Sequence, residues 1–337
     1  MPVEYRKLGN SGLRVSVPIL GCMSFGSPEW VPWVLESDVS LPILKKAYDL
    51  GITTWDTANI YSNGDSERII AAAIKKYNIP RDELVIMTKC FHPVDRTSKK
   101  PVRGDIANDR QYVNQHGLSR AAIFNQVNDS LARLEMDYID VLQIHRYDKD
   151  VDPEEVMGAL NDLVRSGKVR YIGASSMWCY EFAMLQHVAE TNRWAKFVSM
   201  QDQYNLLYRE EEREVIPYCN LTGVGLIPWS PLAAGDLARP IAATSLRKEG
   251  MSNDDEATDP AAVEIINRVE KVAMEKGCLM TDVALAWILG KVTSPIVGVN
   301  SIERLEQIVG ANGKSLTPEE VKYLEEPYVP RRILDHF

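Results

Sequence analysis

Cysteine and histidine are scarce in this chain, five of each in 337 residues. Cys22, Cys90, Cys179, Cys219 and Cys278 are odd in number, far apart and form no CxxC pair. That pattern argues against a disulfide framework or a zinc site and fits a reducing, cytoplasmic setting. The histidines (92, 116, 145, 187 and 336) are scattered, with no HxH pair. A metal hydrolase is left without a ligand cluster, and no metal is expected. No run of 18 apolar residues occurs, so no membrane span is expected. The opening MPVEYRKLGN lacks an apolar h-region, so no secretory signal is expected. Positive charge is in deficit, with 38 Lys and Arg against 47 Asp and Glu and a net charge of −9. Nucleic acids and anionic membrane surfaces are therefore disfavoured as partners. The one basic cluster, 97–103, is flanked by Asp95, Asp105 and Asp109 and reads as a solvated loop.

What is present is an alternation of apolar strands with capped helices. A short hairpin is expected near the start, about an Asn-Ser-Gly turn. Strands are expected at 17–23, 53–58, 84–90, 138–145, 169–176, 197–204, 223–230 and 294–300. Helices are expected at 37–50, 66–77, 119–135, 153–165, 180–191, 210–219, 260–276, 281–289 and 302–309. A last helix opens on Leu-Thr-Pro-Glu-Glu at 316–320, a cap followed by proline in the first turn. Continuous Val/Ile/Leu runs imply strands buried on both faces, as in parallel sheets. Eight such units predict an α/β fold, a (β/α)8 TIM barrel with an N-terminal β-hairpin, filling residues 1–337 as one domain. An open doubly wound sheet is the alternative. A dinucleotide-binding version of it would want GxGxxG after an early strand, where this chain has GCMSFG. Two connections, 91–118 and 231–259, are too long for plain turns. They read as lids over the C-terminal face, or else as polar, mobile insertions.

Active sites of such barrels sit at the C-terminal ends of the strands. Asp56 ends the second strand and Tyr61 follows it. Lys89 ends the third, His145 the fourth, and Ser175 and Ser176 the fifth. Gln201 is near the end of the sixth, and Trp229 and Ser230 end the seventh. Each has a plain structural reading: a snorkelling lysine, a hydrogen-bonded core histidine, an Asp56–Lys89 ion pair. Together, however, Asp, Tyr, Lys and His supply a complete acid–base system. A phenol has a reference pKa of about 10, and an adjacent ammonium lowers it. Bringing it near neutrality takes ~3 units, or ~4 kcal/mol. Lys89 would supply much of this, Asp56 would hold Lys89, and His145 would orient a carbonyl oxygen or relay a proton.

These segments resemble the aldo-keto reductase superfamily over nearly the whole chain. The resemblance runs through KLGNSGLRVS, LGCMSFG, DTANIYSNGDSE, MTKC, MDYIDVLQIHR, ALNDLVRSGKVRYIGASS, QDQYNLLYR, WSPLAAGDL and PIVGVNSIERL, in that order. The nearest likeness is to the fungal and bacterial branch of aryl-alcohol dehydrogenase-like and versiconal hemiacetal acetate reductase-like enzymes. It implies a catalytic tetrad of Asp56, Tyr61, Lys89 and His145 and a bound NADPH without a Rossmann fold. Carried over by motif, Cys22 and Met23 lie beside the cofactor along with Asp56. Ser175, Ser176 and Gln201 bond the nicotinamide amide, and Trp229 stacks on its ring. Ser230, Leu232, Leu237 and Arg239 wrap the pyrophosphate. Gly298, Asn300, Ser301 and Arg304 hold the 2′-phosphate, which favours NADP over NAD. Gln307 and Ile308 stand where the family often has Glu-Asn near the adenine, and Asp236 stands close to the expected pyrophosphate. Trp30, Phe91 and His145 are expected to line the substrate pocket. The implied activity is NADPH-dependent reduction of small aldehydes or ketones by a monomer or weak homo-oligomer. A nicotinamide-binding redox sensor with little turnover is the alternative, and mixing the protein with NADPH and an aromatic aldehyde separates the two.

Overall fold

A computed structural model describes residues 3–102, 104, 106, 108–243 and 259–336. Ten strands are seen among these residues. β1 (Glu4–Lys7) and β2 (Arg14–Val17) form an antiparallel hairpin. The other eight are parallel: β3 (Ile19–Gly21), β4 (Thr54–Asp56), β5 (Val85–Cys90), β6 (Ile139–Ile144), β7 (Val169–Ser175), β8 (Phe197–Gln201), β9 (Gly225–Leu226) and β10 (Ile296–Gly298). Their order in the sheet is β10-β3-β4-β5-β6-β7-β8-β9. The curl is closed by single hydrogen bonds: Ile296 N–H donates to the Pro228 carbonyl at 2.9 Å and Thr293 N–H to that of Leu226 at 3.0 Å. The result is the expected (β/α)8 barrel. Every residue of β6 is buried, as a strand with helices outside and side chains within requires. Leu8, Val15, Ile19, Met87, Val141, Ile227 and Ile296 form a separate cluster beneath the hairpin, which stoppers the N-terminal end. Among the described residues, the opposite end is left to receive a ligand.

The helices begin where local chemistry dictates. Ser119, Asp152, Asp259 and Thr317 each accept a backbone N–H as N-cap of Arg120–Leu134, Pro153–Arg165, Pro260–Lys276 and Pro318–Glu325. The last three carry proline in the first turn, where its missing N–H costs nothing. The sequence reading is inexact where tertiary contacts override propensity. In the segment 223–230 the continuous strand covers two residues, Gly225–Leu226, with an isolated bridge from Trp229 to Gln203. The helix expected at 210–219 is a 3-10 turn, Glu210–Glu212, followed by an α-helix at Val215–Thr222. Glu210 there is buried and accepts from the Tyr328 hydroxyl and Arg331 N–H, both at 2.7 Å, so the chain tail reshapes this turn.

The long segment 91–118 has no strand or α-helix among its described residues. Its ends meet, with Gly117 N–H donating to the Phe91 carbonyl at 2.7 Å. Its middle is tied to the barrel by Asn63, whose amide donates to the Ser98 and Lys100 carbonyls at 2.8 and 2.7 Å. In 231–259, Ala233–Ala238 forms a turn, and 244–258, where the second lid was expected, lies outside the described residues.

A buried ion pair fixes the helix that follows Asn63. Glu67, in Asp65–Tyr77, accepts from Arg133 Nε at 2.6 Å and Thr88 Oγ at 2.7 Å, and its side chain is fully buried. Glu67→Ala leaves Arg133 buried without its counter-charge. The expected loss is about 3–5 kcal/mol, read as a lower urea midpoint. A midpoint within error of wild type would show that the pair contributes nothing net.

Candidate active site

Strand register assembles the site. Lys89 lies opposite Gln143, Gln143 opposite Gly173, and Ser175 opposite Gln201. Alternation then turns Lys89 and Gln143 into the barrel mouth. Lys89 is 1% exposed, so its charge needs partners throughout. Its ammonium donates to Asp56 Oδ2 at 2.6 Å, the Thr57 carbonyl at 2.9 Å and the Tyr61 hydroxyl at 3.3 Å. Three donors meet three acceptors. The other oxygen of Asp56 accepts from Gln143 at 2.8 Å and Gln201 at 3.0 Å, and Gln201 also donates to Gln143 at 2.7 Å. The carboxylate is thus held from both sides and the lysine cannot drift.

Tyr61 is presented by an unusual turn. Ser62, Asn63 and Gly64 follow it with φ of 50°, 51° and 87°. Three consecutive left-handed residues are rare, and only the last is glycine. A Cβ at Gly64 would lie 2.4 Å from Arg133 Cδ, so any other residue there would displace the Arg133 side chain. Ser62 Oγ accepts from Ser27 N–H at 3.2 Å, and Asn63 is tied as described, so surrounding contacts pay for the strain. The Tyr61 ring lies 6.3 Å from Trp30 and 6.0 Å, edge-on, from His145.

Electrostatics departs from the sequence expectation on one point. The phenol of Tyr61 is raised, not lowered: burial outweighs the pull of the Lys89 ammonium. Lys89 also stays above its ordinary value. Burial works against its charge, but Asp56 and Tyr61 together prevail. His145 is held well below its ordinary value by burial, with His92, Lys89 and Arg146 adding to the effect. Burial takes His92 down to about 4. At neutral pH the site therefore holds a protonated phenol, a charged lysine and two neutral imidazoles.

Above these groups opens a cleft of about 930 Å³. Met23, Trp30, Asp56, Tyr61, His145, Ser175, Gln201, Trp229, Ser230, Leu232, Arg239, Gly298, Asn300 and Arg304 all line it. Other expected site residues do not. Lys89, Cys22, Ser176 and Leu237 are buried behind the wall. The Ser176 hydroxyl accepts from Trp229 Nε1 at 3.3 Å and so braces the indole. Ser301 lies off the cleft, its hydroxyl capping the helix Ile302–Gly310 through Arg304 N–H at 3.2 Å. Gln307 lies one turn on, bonded to Glu303 at 3.4 Å. Phe91 is turned aside against His92, and it is His92 that lines the cleft.

Sequence reading missed His92, Trp33, Arg146 and Asp335, which also line the cleft, and Gln143 beneath it. Gln143 had a signal, as a polar residue inside the apolar run IDVLQI. Asp335 had none.

At the far end of the cleft, Arg239 and Arg304 converge. Burial and the neighbouring Arg304 push Arg239 below its usual range, against the pull of Asp236. Two guanidiniums sharing a wall suit an anion with several oxygens. At the near end, the buried Nε1 of Trp30 and Nδ1 of His145 have no partner among the described residues. An elongated ligand, anionic at one end and with a small polar group at the other, matches this distribution. No cluster of three metal-ligating side chains occurs among the described residues, and no described helix is long and apolar enough to cross a membrane.

Comparison with known proteins agrees with the geometry. The chain is 53% identical to an aldo-keto reductase of Fusarium vanettenii, over 99% of this chain and 93% of that one. It is 52% identical to versiconal hemiacetal acetate reductase of Aspergillus parasiticus, over 98% of each. It is also 52% identical to a Schizosaccharomyces pombe protein named as an aryl-alcohol dehydrogenase, over 98% of this chain and 97% of that one. The model of the Aldo/keto reductase family matches residues 19–328. The chain belongs to the aldo/keto reductase family of oxidoreductases.

Proposed function

We propose that this protein is an NADPH-dependent reductase of small aldehydes and ketones, with Tyr61 as the proton donor. One observation carries the reading. The buried Lys89 ammonium, fixed by Asp56, reaches the Tyr61 hydroxyl at 3.3 Å, and that hydroxyl faces a cleft with a neutral His145 beside it. When bound, the reduced nicotinamide supplies the hydride.

The chain's own groups manage the proton and the charge. Burial keeps the Tyr61 proton in place until a stronger base appears, and a nascent alkoxide is such a base. Once the proton leaves, the phenolate lies against Lys89, so the ammonium acts mainly on the state that follows transfer. A neutral imidazole at His145 offers one N–H to a carbonyl oxygen without competing as an acid. Ser175 and Gln201 would hold the carboxamide end, with Met23 beside it, and the Trp229 indole would provide a stacking surface. Ser230, Leu232 and Arg239 would hold the pyrophosphate. Gly298, Asn300 and Arg304 would hold the adenosine end, with Ser301 setting the start of that helix. The same reading takes 1–337 as one barrel domain acting on small carbonyl compounds in the cytoplasm. Loss of the near-ultraviolet absorbance of NADPH on adding an aromatic aldehyde is the direct test. Tight NADPH binding with no turnover across a carbonyl panel would replace this reading with a sensor role.

The choice of NADPH over NADH rests on Arg304. A charge-assisted hydrogen bond contributes about 1.5–3 kcal/mol, or roughly ten- to a hundredfold in affinity. Arg304→Ala is expected to raise the NADPH Kd by that factor and to leave NADH nearly unchanged, by tryptophan fluorescence titration. An equal loss for both cofactors, or none, sinks the assignment.

A further inference from the structure

Among the described residues, the cleft lining carries more positive than negative charge, in a protein of net charge −9. These residues include three arginines, Arg146, Arg239 and Arg304, against two acids, Asp56 and Asp335. Asp56 is already neutralised by the buried Lys89. Arg239 and Arg304 stand together at the phosphate end. Arg146 is the third. It follows His145 directly, at the end of β6, and its Nη1 donates to the His145 carbonyl at 2.6 Å. Its positive field reaches Tyr61, His92 and His145. It therefore stands at the reacting end, among aromatic walls that include Trp30 and Trp33.

Among the described residues its carboxylate neighbours are the buried Asp202, whose charged form Arg146 favours, and the tail residue Asp335. Arg146 Nη2 and Asp335 Oδ1 are 3.5 Å apart, with side-chain exposures of 12% and 36%. A seated charge-assisted bond is about 2.7–2.9 Å. This carboxylate is close to the guanidinium without being docked on it. Asp335 also takes a φ of 61°, in the left-handed region. The tail around it is anchored independently. Arg331 N–H donates to Glu210 at 2.7 Å, Leu334 N–H to the Tyr208 hydroxyl at 3.0 Å, and His336 Nε2 lies 3.3 Å from Glu211. Asp335 can thus leave Arg146 without the tail coming loose.

We infer that Arg146 is a specificity-determining residue that receives a carboxylate carried by the carbonyl substrate, and that Asp335 occupies its place until that substrate arrives. A guanidinium suits this role because its planar fork matches a carboxylate, and its low exposure keeps the interaction from being screened. The substrate class is a carbonyl compound with an ionised carboxylate on a short aromatic or aliphatic body. The inference rests on reading the cleft as a carbonyl-reducing site.

The test compares 2-, 3- and 4-carboxybenzaldehyde, each with its uncharged methyl ester, in kcat/KM. For at least one isomer the acid is expected to lead its ester by roughly ten- to a hundredfold. The lead should lie mainly in KM and collapse towards parity in Arg146→Gln. Asp335→Asn removes the internal competitor and is expected to widen the lead severalfold. Acid and ester at parity for all three isomers in the wild type, or a lead that survives Arg146→Gln, overturns the role of Arg146. A lead unmoved by Asp335→Asn overturns the role of the tail. Calorimetric titration with 4-carbamoylbenzoate, which is not reducible, separates this inference from the proposed activity. Binding that weakens at least tenfold in Arg146→Gln upholds the carboxylate site even if no aldehyde is turned over, and equal binding refutes it.

Discussion

Tyr61→Phe is expected to lower kcat by about 10²–10⁴-fold, the usual contribution of a positioned general acid, while the NADPH Kd stays within about twofold. The two effects separate because the hydroxyl acts on the transition state and the ring only fills space. The ring is retained, so its contacts with Trp30 and His145 survive. The raised phenol adds a second expectation. Tyr61 keeps its proton at neutral pH, so carbonyl reduction should decline only on the alkaline side, above the ordinary phenol value of about 10. Wild-type kcat in the mutant on a good aldehyde would remove Tyr61 from the mechanism, whatever the cofactor affinity.

Lys89→Met should be equally damaging to turnover and should also cost stability. The ammonium stabilises the phenolate left after proton transfer, so its loss pushes Tyr61 up further and slows the step. It also strands Asp56, which keeps Gln143 and Gln201 as donors but loses its counter-charge in a buried site. Breaking such a pair from one side costs about 3–5 kcal/mol. The folded-state pKa of Lys89 is raised, so the pair's contribution is fully present below the ordinary lysine value of about 10.4. It is lost only as pH climbs through the raised value, so the stability difference between mutant and wild type should be flat across neutral pH. Activity and denaturant midpoint measured on the same preparations distinguish the two consequences. A mutant that is less stable yet fully active would make Lys89 structural. A pH–rate profile unchanged in shape and height would break the coupling between Lys89 and Tyr61.

Much of the architecture is written locally. The helices Pro153–Arg165 and Pro260–Lys276 begin and end where their caps and first-turn prolines predict, because capping needs only residues within one turn. Eight apolar strands in alternation with helices lead to the barrel, because both strand faces are covered in that arrangement. Strand ends point to one rim, so Asp56, Lys89 and His145 can be placed together from spacing alone.

Tertiary structure decided the rest. Gln143 becomes a support for Asp56 only through the register of three strands, β4, β5 and β6, which no local pattern encodes. Phe91 and His92 exchange places at the cleft because the loop they open is tied by Gly117 and Asn63. Asp335 meets Arg146 because Glu210, Tyr208 and Glu211 anchor the tail across the mouth. The sign of the Tyr61 shift is the clearest case. The Lys89 charge that lowers the phenol is visible in the sequence as a residue type. The burial that outweighs it is a sum over the whole cleft wall, and it exists only once the chain has closed around it.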